Sequence, residues 1–146
     1  MTTSFAIALA QLNPQLGDVA GNCDRLAKAR GEAAKNGASV IVTPEMYLSG
    51  YPCDDLVLRD DFMGAVAAGI NRLAAMTNDG GPAIVVGAPH AENGHIFNAV
   101  FVLDDGQIIA RRDKVNLPNY GVFDDKRNFT AGGLPGPVML RGIKFG

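Results

Sequence analysis

Two charged residues, Glu45 and Lys114, stand where predicted strands end, and their side chains are of types that move protons. Glu45 follows the apolar run 40–42 (VIV), which Pro44 closes. A short apolar run bounded by turn residues indicates a strand buried on both faces, and proline cannot extend its hydrogen-bond ladder. Ligands of open α/β sheets bind beyond the carboxyl ends of the strands. Glu45 therefore stands where a catalytic or ligand-binding acid is expected.

Lys114 occupies a similar place, because it ends the apolar-tending run 107–114 and opens the polar stretch 116–136. Neighbouring strands could bring Lys114 beside Glu45. A lysine next to a glutamate keeps both groups ionised, and either group can then move a proton or stabilise a developing anion. A structural ion pair and two unrelated surface charges are the alternatives, since ion pairs also perturb titration without catalysis.

The elements that must position these residues follow from hydrophobic periodicity and turn residues. Strands are predicted at 5–12, 40–42, 83–88, 96–103, 107–114, 138–140 and 143–145, and helices from Asp18 or Asn22 to about Asn36 and from Asp61 to Thr77. Asp60 is predicted to cap the second helix, and Pro89 to stop the third strand. Two β-α-β units give parallel strands, whereas Asp-Gly and Arg-Gly turns join antiparallel hairpins. The predicted class is α/β with a mixed sheet, mostly parallel first and built of hairpins afterwards.

Size and composition are typical of one globular domain and exclude several classes of function. The chain has 146 residues, of which 47% are hydrophobic and 19% charged, and its net charge is −2. No basic tract marks a nucleic-acid surface, and no apolar run approaches the roughly 20 residues that span a bilayer. The N-terminal stretch lacks the features of a secretory signal, so we expect a cytoplasmic protein with no nucleic-acid or membrane partner.

Two minor features receive structural interpretations. Cys23 and Cys53 have neither metal-site nor redox spacing, so no metal site is expected, and Cys23 is interpreted as a small core thiol. The basic pair at 126–127 (KR) is predicted to form a surface charge pair with Asp124 or Asp125. Neither feature adds to the chemistry of Glu45 and Lys114.

Two longer strings carry a resemblance to a known family. They are TPEMYLSGYPCDDL at 43–56, which contains Glu45, and KVNLPNYGVFDDKRNF at 114–129, which begins with Lys114. Together they resemble the nitrilase superfamily of carbon–nitrogen hydrolases and, more narrowly, the glutaminase domain at the N-terminus of glutamine-dependent NAD synthetases. The likeness covers essentially the whole chain. It implies an αββα sandwich of the nitrilase type with a Glu-Lys-Cys catalytic set.

The resemblance also implies individual roles. Glu45 matches the general base that takes the proton from a cysteine thiol, and Lys114 matches the lysine that supports the tetrahedral intermediate. Four more positions match the substrate site: Tyr120, which would contact glutamine, Tyr51 and Phe123, which would wall the pocket, and Asp125, a second acid near the nucleophile. The implied small-molecule substrate is glutamine, hydrolysed to glutamate and ammonia, and the ammonia would amidate deamido-NAD.

The sequence departs from the family pattern in one respect. The nucleophilic cysteine of this family follows the last hairpin and is not reached before Gly146. We therefore expect residues 1–146 to be a truncated, N-terminal portion of the glutaminase domain, inactive on glutamine by itself. Cys53 lies in the loop after Glu45 and is not expected to substitute. The resemblance assigns ATP and Mg²⁺ to a synthetase domain absent here, with no cofactor in this chain, and implies a homo-oligomer for the full-length protein.

Three other functions stay open at this point. They are a free-standing amidase of the same superfamily, a non-catalytic binding or assembly module, and a flavodoxin-like ligand-binding domain. An ATP-site motif further along the coding sequence would favour the synthetase, whereas an end near about 270–300 residues would favour the amidase. The hairpins after the third strand and the lack of a phosphate loop after the first argue against the flavodoxin-like domain.

Overall fold

The computed structural model describes residues 4–146, and its central feature is a five-stranded mixed sheet. The strands of this sheet are β1 (Ile7–Leu9), β2 (Val40–Val42), β3 (Ala83–Glu92), β4 (His95–Asp104) and β5 (Gln107–Asp113). They lie in chain order, with β1, β2 and β3 parallel and with β4 and β5 antiparallel to their neighbours. A separate hairpin consists of β6 (Val138–Leu140) and β7 (Ile143–Phe145), and the helices are α1 (Val19–Lys35) and α2 (Asp60–Met76). The predicted α/β class with a mixed sheet is confirmed.

The two helices cover one face of the sheet. Leu26 of α1 and Val66 and Leu73 of α2 are fully buried against the sheet residues Ile41 and Ile84. Burying one such side chain contributes about 1.5–3 kcal/mol relative to leaving it in water. Among residues 4–146, no helix has both the length and the apolar character needed to cross a membrane.

The helix starts were predicted with mixed success. α1 begins after Asp18, whose carboxylate accepts a hydrogen bond from Gly21 N at 2.9 Å, as one of the two predicted caps requires. The predicted cap of α2 was wrong, because Asp60 is the first helical residue and Arg59 occupies the N-cap position without a side-chain cap bond. Asp60 and Asp61 lie in the first turn, where the helix dipole favours carboxylates, and this preference produces the same sequence signal as a cap.

β1 is shorter than the predicted strand 5–12 because its partner is short. Pairing of β1 with β2 ends where Leu9 faces Val42. Ala10 N still donates to Val42 O at 2.8 Å, but Leu12 N then donates back to Ala10 O and the chain turns. A backbone can extend a ladder only where a neighbouring strand faces it, and hydrophobic periodicity within one segment does not report that neighbour.

β3 does not stop at Pro89, contrary to the prediction, and continues to Glu92. The N–H of Gly87 points to the β2 side, where it donates to Thr43 Oγ1 at 3.3 Å. Backbone N–H groups two residues apart on a strand point to the same side. An N–H at position 89 would therefore point, like that of Gly87, away from β4, and this is where Pro89 lacks one. β2 has already ended at Val42, so β3 is locally an edge strand and proline interrupts no ladder.

The sheet face opposite the helices is apolar and only partly covered. Val40 and Val102 are buried beneath the β6–β7 hairpin, which contributes Leu140 to this second cluster. At the far edge of the same sheet, Ile7 and Leu9 of β1 are 52% and 73% exposed. Large apolar side chains therefore meet solvent at this edge.

Candidate active site

The Glu45 segment (residues 43–50) leaves β2 and runs alongside the first half of β3. Thr43 N donates to Val85 O at 3.0 Å, and Leu48 N donates to Gly87 O at 3.0 Å. These two bonds attach the segment to β3 on both sides of Glu45. The catalytic or ligand-binding acid predicted beyond the strand end is thus fixed to the sheet.

The residues that follow Glu45 are among the most buried of the molecule. Met46, Tyr47 and Leu48 are each 0% exposed, and the Tyr47 hydroxyl donates to Asn22 O of α1 at 3.0 Å. The side chain of Glu45, in contrast, is 50% exposed. A solvent-accessible carboxylate therefore stands on a backbone held by the core.

Gly87 allows the Glu45 segment to approach β3 closely. A Cβ atom on Gly87 would lie 2.5 Å from Met46 N and 2.9 Å from Pro44 O. Both of these atoms belong to backbone, so a side-chain rotation cannot relieve the overlap. Glycine at this position is a condition for placing Glu45 where it is.

Lys114 meets Glu45, but not on neighbouring strands as anticipated, since β3 and β4 lie between β2 and β5 in the sheet. Lys114 Nζ lies 2.7 Å from Glu45 Oε1 and 3.1 Å from Asp125 Oδ2, and Lys114 N donates to Asn98 O at 2.8 Å. Burial acts to lower the pKa of the Lys114 ammonium, but its hydrogen bonds to the two carboxylates and their charges outweigh this, and the pKa is raised. The lysine stays protonated at neutral pH beside its two acids.

Asp125 connects the ion pair to Tyr51. Asp125 is 4% exposed, and its Oδ1 accepts a hydrogen bond from the Tyr51 hydroxyl at 3.2 Å. Burial and then the neighbouring Asp125 carboxylate raise the pKa of Tyr51, so the phenol remains a donor. The predicted surface pairing of Arg127 with a neighbouring aspartate was wrong, because Arg127 pairs with Asp55 at 2.8 Å. Asp125 is buried and pairs with Lys114 instead.

Asn98 is a member of the site that sequence reasoning missed. Asn98 Nδ2 donates to Glu45 Oε1 at 2.6 Å, and the residue is only 4% exposed. The available signal was one amide in the middle of the apolar string IFNAVFVL of β4. A polar side chain inside a buried strand needs a partner, since an unsatisfied buried group costs about 1–3 kcal/mol.

Tyr120 and Phe123 lie apart from the hydrogen-bonded network, on the Lys114 loop (residues 114–136). Their rings pack edge to face with centroids 5.8 Å apart, and the two residues are 71% and 40% exposed. Tyr120 lines a surface cavity of about 610 Å³ together with Lys114 and Pro118. The structure therefore joins Tyr51 and Asp125 to the Glu45–Lys114 pair and leaves the two other predicted substrate contacts on an exposed loop.

The network opens into a cleft of about 550 Å³ at the ends of the strands, lined by Thr43, Glu45, Gly87, Asn98 and Lys114. A half-exposed carboxylate beside a protonated ammonium can accept a proton from a nucleophile that enters the cleft. The ammonium can stabilise the anion that forms next, which is the arrangement required for acyl transfer from an amide.

The thiols of this chain are not placed for that chemistry. Cys23 and Cys53 are 1% and 3% exposed. Burial raises the pKa of the Cys53 thiol to about 11 and also raises that of Cys23. Since the thiolate is the reactive form, both are core residues, which confirms the structural interpretation of Cys23. Within residues 4–146, no three His, Cys, Asp or Glu side chains are grouped so as to hold a metal ion.

Sequence comparison identifies relatives along the whole chain. Residues 6–146 match the carbon-nitrogen hydrolase family. The glutamine-dependent NAD(+) synthetase of Rhodobacter capsulatus is 40% identical over 146 residues, which are 100% of this chain and 26% of that protein. That of Thermotoga maritima is 37% identical over 140 residues, which are 96% of this chain and 24% of the relative. The chain thus spans about a quarter of the length of these curated relatives.

Solved structures give the same picture for the fold. A glutamine-dependent NAD+ synthetase from Acinetobacter baumannii, in complex with ADP, superposes with a TM-score of 0.90 at 34% identity, over 97% of this chain and 27% of that chain. An amidase from Nesterenkonia sp. superposes with a TM-score of 0.83 at 27% identity, over 96% of this chain and 53% of that chain. The nitrilase-type fold is confirmed by these matches. With a family match that extends over residues 6–146, the chain belongs to the carbon–nitrogen hydrolases.

Proposed function

We propose that residues 1–146 are the N-terminal part of the glutaminase domain of a glutamine-dependent NAD synthetase. The observation that supports this most directly is the Glu45–Lys114 pair, with 2.7 Å between Oε1 and Nζ, in a chain 40% identical to such a synthetase. In this function glutamine is hydrolysed to glutamate and ammonia, and the ammonia amidates deamido-NAD at the expense of ATP.

The proposed reaction uses Glu45 as general base and Lys114 as the oxyanion partner. An unactivated thiol has a pKa of about 8.5, so a cysteine nucleophile from outside residues 1–146 would need a base at neutral pH. Glu45 takes the thiol proton, and the sulfur attacks the side-chain amide carbon of glutamine while Lys114 stabilises the oxyanion. The proton passes to the leaving nitrogen, ammonia departs and a thioester remains. Water deprotonated by Glu45 then releases glutamate and restores the thiol.

The other site residues receive supporting roles in this proposal. Tyr51 and Asp125 would hold Lys114 in place, because Asp125 accepts from the Tyr51 hydroxyl with one oxygen and from Lys114 with the other. Tyr120 and Phe123 would contact glutamine, and their position beside the cavity at Lys114 is compatible with that role.

Several features of the whole protein belong to the same proposal. ATP and Mg²⁺ would bind in a synthetase domain outside residues 1–146, and the full-length protein would form a homo-oligomer. A cytoplasmic location fits two free cysteines, since reducing compartments keep thiols unpaired. The chain of 146 residues alone would not hydrolyse glutamine, because neither of its thiols is exposed.

The test is a comparison of two nitrogen sources in the protein encoded by the full native reading frame. Glu45→Gln should lower glutamine-driven NAD formation by at least about 100-fold, the usual contribution of a general base. Ammonia-driven NAD formation should stay within about twofold, because only thiol activation is assigned to Glu45. Both rates are measured from NAD produced in the presence of ATP.

Glu32→Gln is the matched control, since Glu32 lies on the exposed side of α1 and its side chain is 61% exposed. It should leave both rates unchanged. Loss of both rates in Glu45→Gln, or of neither, would contradict the assignment of Glu45. The proposal also needs a cysteine within about a dozen residues after Gly146 in the reading frame, at a strand-to-helix turn. If the reading frame has none, the nucleophile is missing and the enzyme proposal fails.

A free-standing amidase is the second candidate, favoured by the structural match to the Nesterenkonia amidase over 53% of that chain. The two candidates differ in their need for ATP. Ammonia release from simple aliphatic amides, without ATP and without NAD formation, would identify the amidase. NAD formation that depends on both ATP and glutamine would identify the synthetase.

A further inference from the structure

The two carboxylate oxygens of Glu45 have different surroundings. Oε1 accepts hydrogen bonds from Asn98 Nδ2 at 2.6 Å and from Lys114 Nζ at 2.7 Å. Within residues 4–146, no group donates a hydrogen bond to Oε2. We propose that Asn98 is a positioning residue that fixes the rotation of the Glu45 carboxylate, so that Oε2 is the oxygen that receives the thiol proton. This inference rests on the proposed function of Glu45 as general base.

Asn98 is better suited to fix this rotation than Lys114. The lysine has a long flexible stem, its side chain is 29% exposed, and its ammonium is shared with Asp125. Asn98 lies in β4, a strand paired on both sides, and it is 4% exposed. A short amide on a strand paired on both sides loses little freedom when it binds, so its hydrogen bond acts as a constraint.

Asn98 also contacts Lys114. Its backbone oxygen accepts from Lys114 N at 2.8 Å, while its side chain donates to Glu45. One residue therefore contacts both members of the ion pair, through different groups. Asn98 therefore contributes to placing the base and the oxyanion partner relative to each other, in addition to the bond of Lys114 to Asp125.

An amide has the chemistry that this position requires. It donates a hydrogen bond without adding charge, whereas a second carboxylate at the same distance would repel Glu45 and compete for Lys114. With Oε1 occupied by two donors, the lone pairs of Oε2 remain available in the cleft. A carboxylate that rotated freely would present the correct oxygen in the correct direction only part of the time, and misplacement by about 1 Å can cost about 100-fold in rate.

The experiment measures kcat and KM for glutamine in the full-length protein with Asn98→Leu and Asn98→Asp, which are close in shape to asparagine. We expect kcat to fall about 10- to 100-fold in both variants at neutral pH, with KM within about threefold of wild type. Ammonia-driven NAD formation should persist. The rate of Asn98→Asp relative to wild type should recover as pH falls from about 7.5 to 5.5, because the introduced carboxyl regains a hydrogen-bond donor when protonated between Glu45 and Lys114.

Phe101→Leu is the control for a weakened β4, since Phe101 is 5% exposed and packs on the helix side of the sheet. It should lower the melting temperature and leave kcat for glutamine unchanged. Native kcat in both Asn98 variants, a rise in KM alone, or parallel loss of the ammonia-driven rate would each overturn the positioning role. If Glu45→Gln itself retains glutamine turnover, the proposed function of Glu45 is wrong, whatever the Asn98 variants show. This outcome distinguishes failure of the proposed function from failure of the positioning role.

Discussion

The two segments that build the site differ in how the chain holds them. In the Glu45 segment, Met46, Tyr47 and Leu48 are each 0% exposed. In the Lys114 loop, Val122 and Leu134 are 93% and 95% exposed. The acid is therefore preorganised by the core of this chain, whereas the loop with the proposed substrate contacts exposes large apolar side chains and packs Phe129 against the cluster of Met46, Cys53 and Val57.

The Lys114 loop is attached at a few points near its ends and middle. Gly132 N donates to Lys114 O at 2.9 Å, and Thr130 N donates to Ile96 O at 2.7 Å. Asp125 forms the inner attachment through Lys114 and Tyr51. A loop that is held mostly by polar contacts and is largely exposed opens locally at lower free energy than a segment buried in the core. The Glu45 segment and the Lys114 loop are therefore expected to differ in local stability.

The largest expected effect comes from truncating a buried side chain of the Glu45 segment. Leu48→Ala should lower the free energy of unfolding by about 3–4 kcal/mol, because it leaves a cavity in a core that cannot fully collapse. Leu134→Ala, at a 95% exposed position of the Lys114 loop, should change it by less than about 0.5 kcal/mol. Urea denaturation of the two variants measures both. Equal losses would show that the two segments are held alike.

A smaller loss in the free energy of unfolding is expected when the close backbone approach beneath Glu45 is blocked. Gly87→Ala should cost about 2–3 kcal/mol, because its Cβ would overlap the backbone of Met46 and Pro44. Gly133→Ala, where nothing lies within 4 Å of the added atom, is the matched control and should be nearly neutral. Denaturation curves compare the pair, and a neutral Gly87→Ala would mean that the Glu45 segment can shift freely.

Removing one hydroxyl should distinguish the segments on a finer scale. Tyr47→Phe leaves Asn22 O without its side-chain donor in a buried site and should cost about 1–2 kcal/mol. Tyr120→Phe, at a residue that is 71% exposed, should stay within about 0.5 kcal/mol of wild type. Thermal melts at one pH suffice for this comparison. The distinction fails if Tyr120→Phe proves the more costly change.

The smallest effect concerns the ion pair that links the two segments. The pKa of Lys114 is raised in the folded protein above an unfolded value of about 10.4. The stabilisation from this ion pair is therefore complete below about pH 10 and is lost as pH rises through the folded pKa. The free energy of unfolding of the wild type should exceed that of Lys114→Met by about 1 kcal/mol at pH 8, and this difference should shrink toward pH 12. Lys144→Met, at an exposed position, should show no such dependence. A difference independent of pH would contradict the pairing.

Local features were the part of the fold most open to prediction. The strand 40–42 was predicted with its correct bounds, and the turns at Asp105-Gly106 and Arg141-Gly142 have the positive φ angles that such hairpins need. Strand lengths were less predictable, because a strand ends where its partner ends. The prediction that Pro89 stops β3 failed for this reason, since proline is tolerated wherever no neighbour requires its N–H.

For the site, the sequence by itself determined that Glu45 and Lys114 stand at strand ends, because apolar runs and turn residues are local signals. Only the tertiary structure decided which groups surround them. Asn98 reaches Glu45 across 53 residues of sequence, and Tyr51 reaches Asp125 across 74. Such partners are selected by strand register and loop path, which depend on contacts between distant segments and leave no periodic pattern within either one.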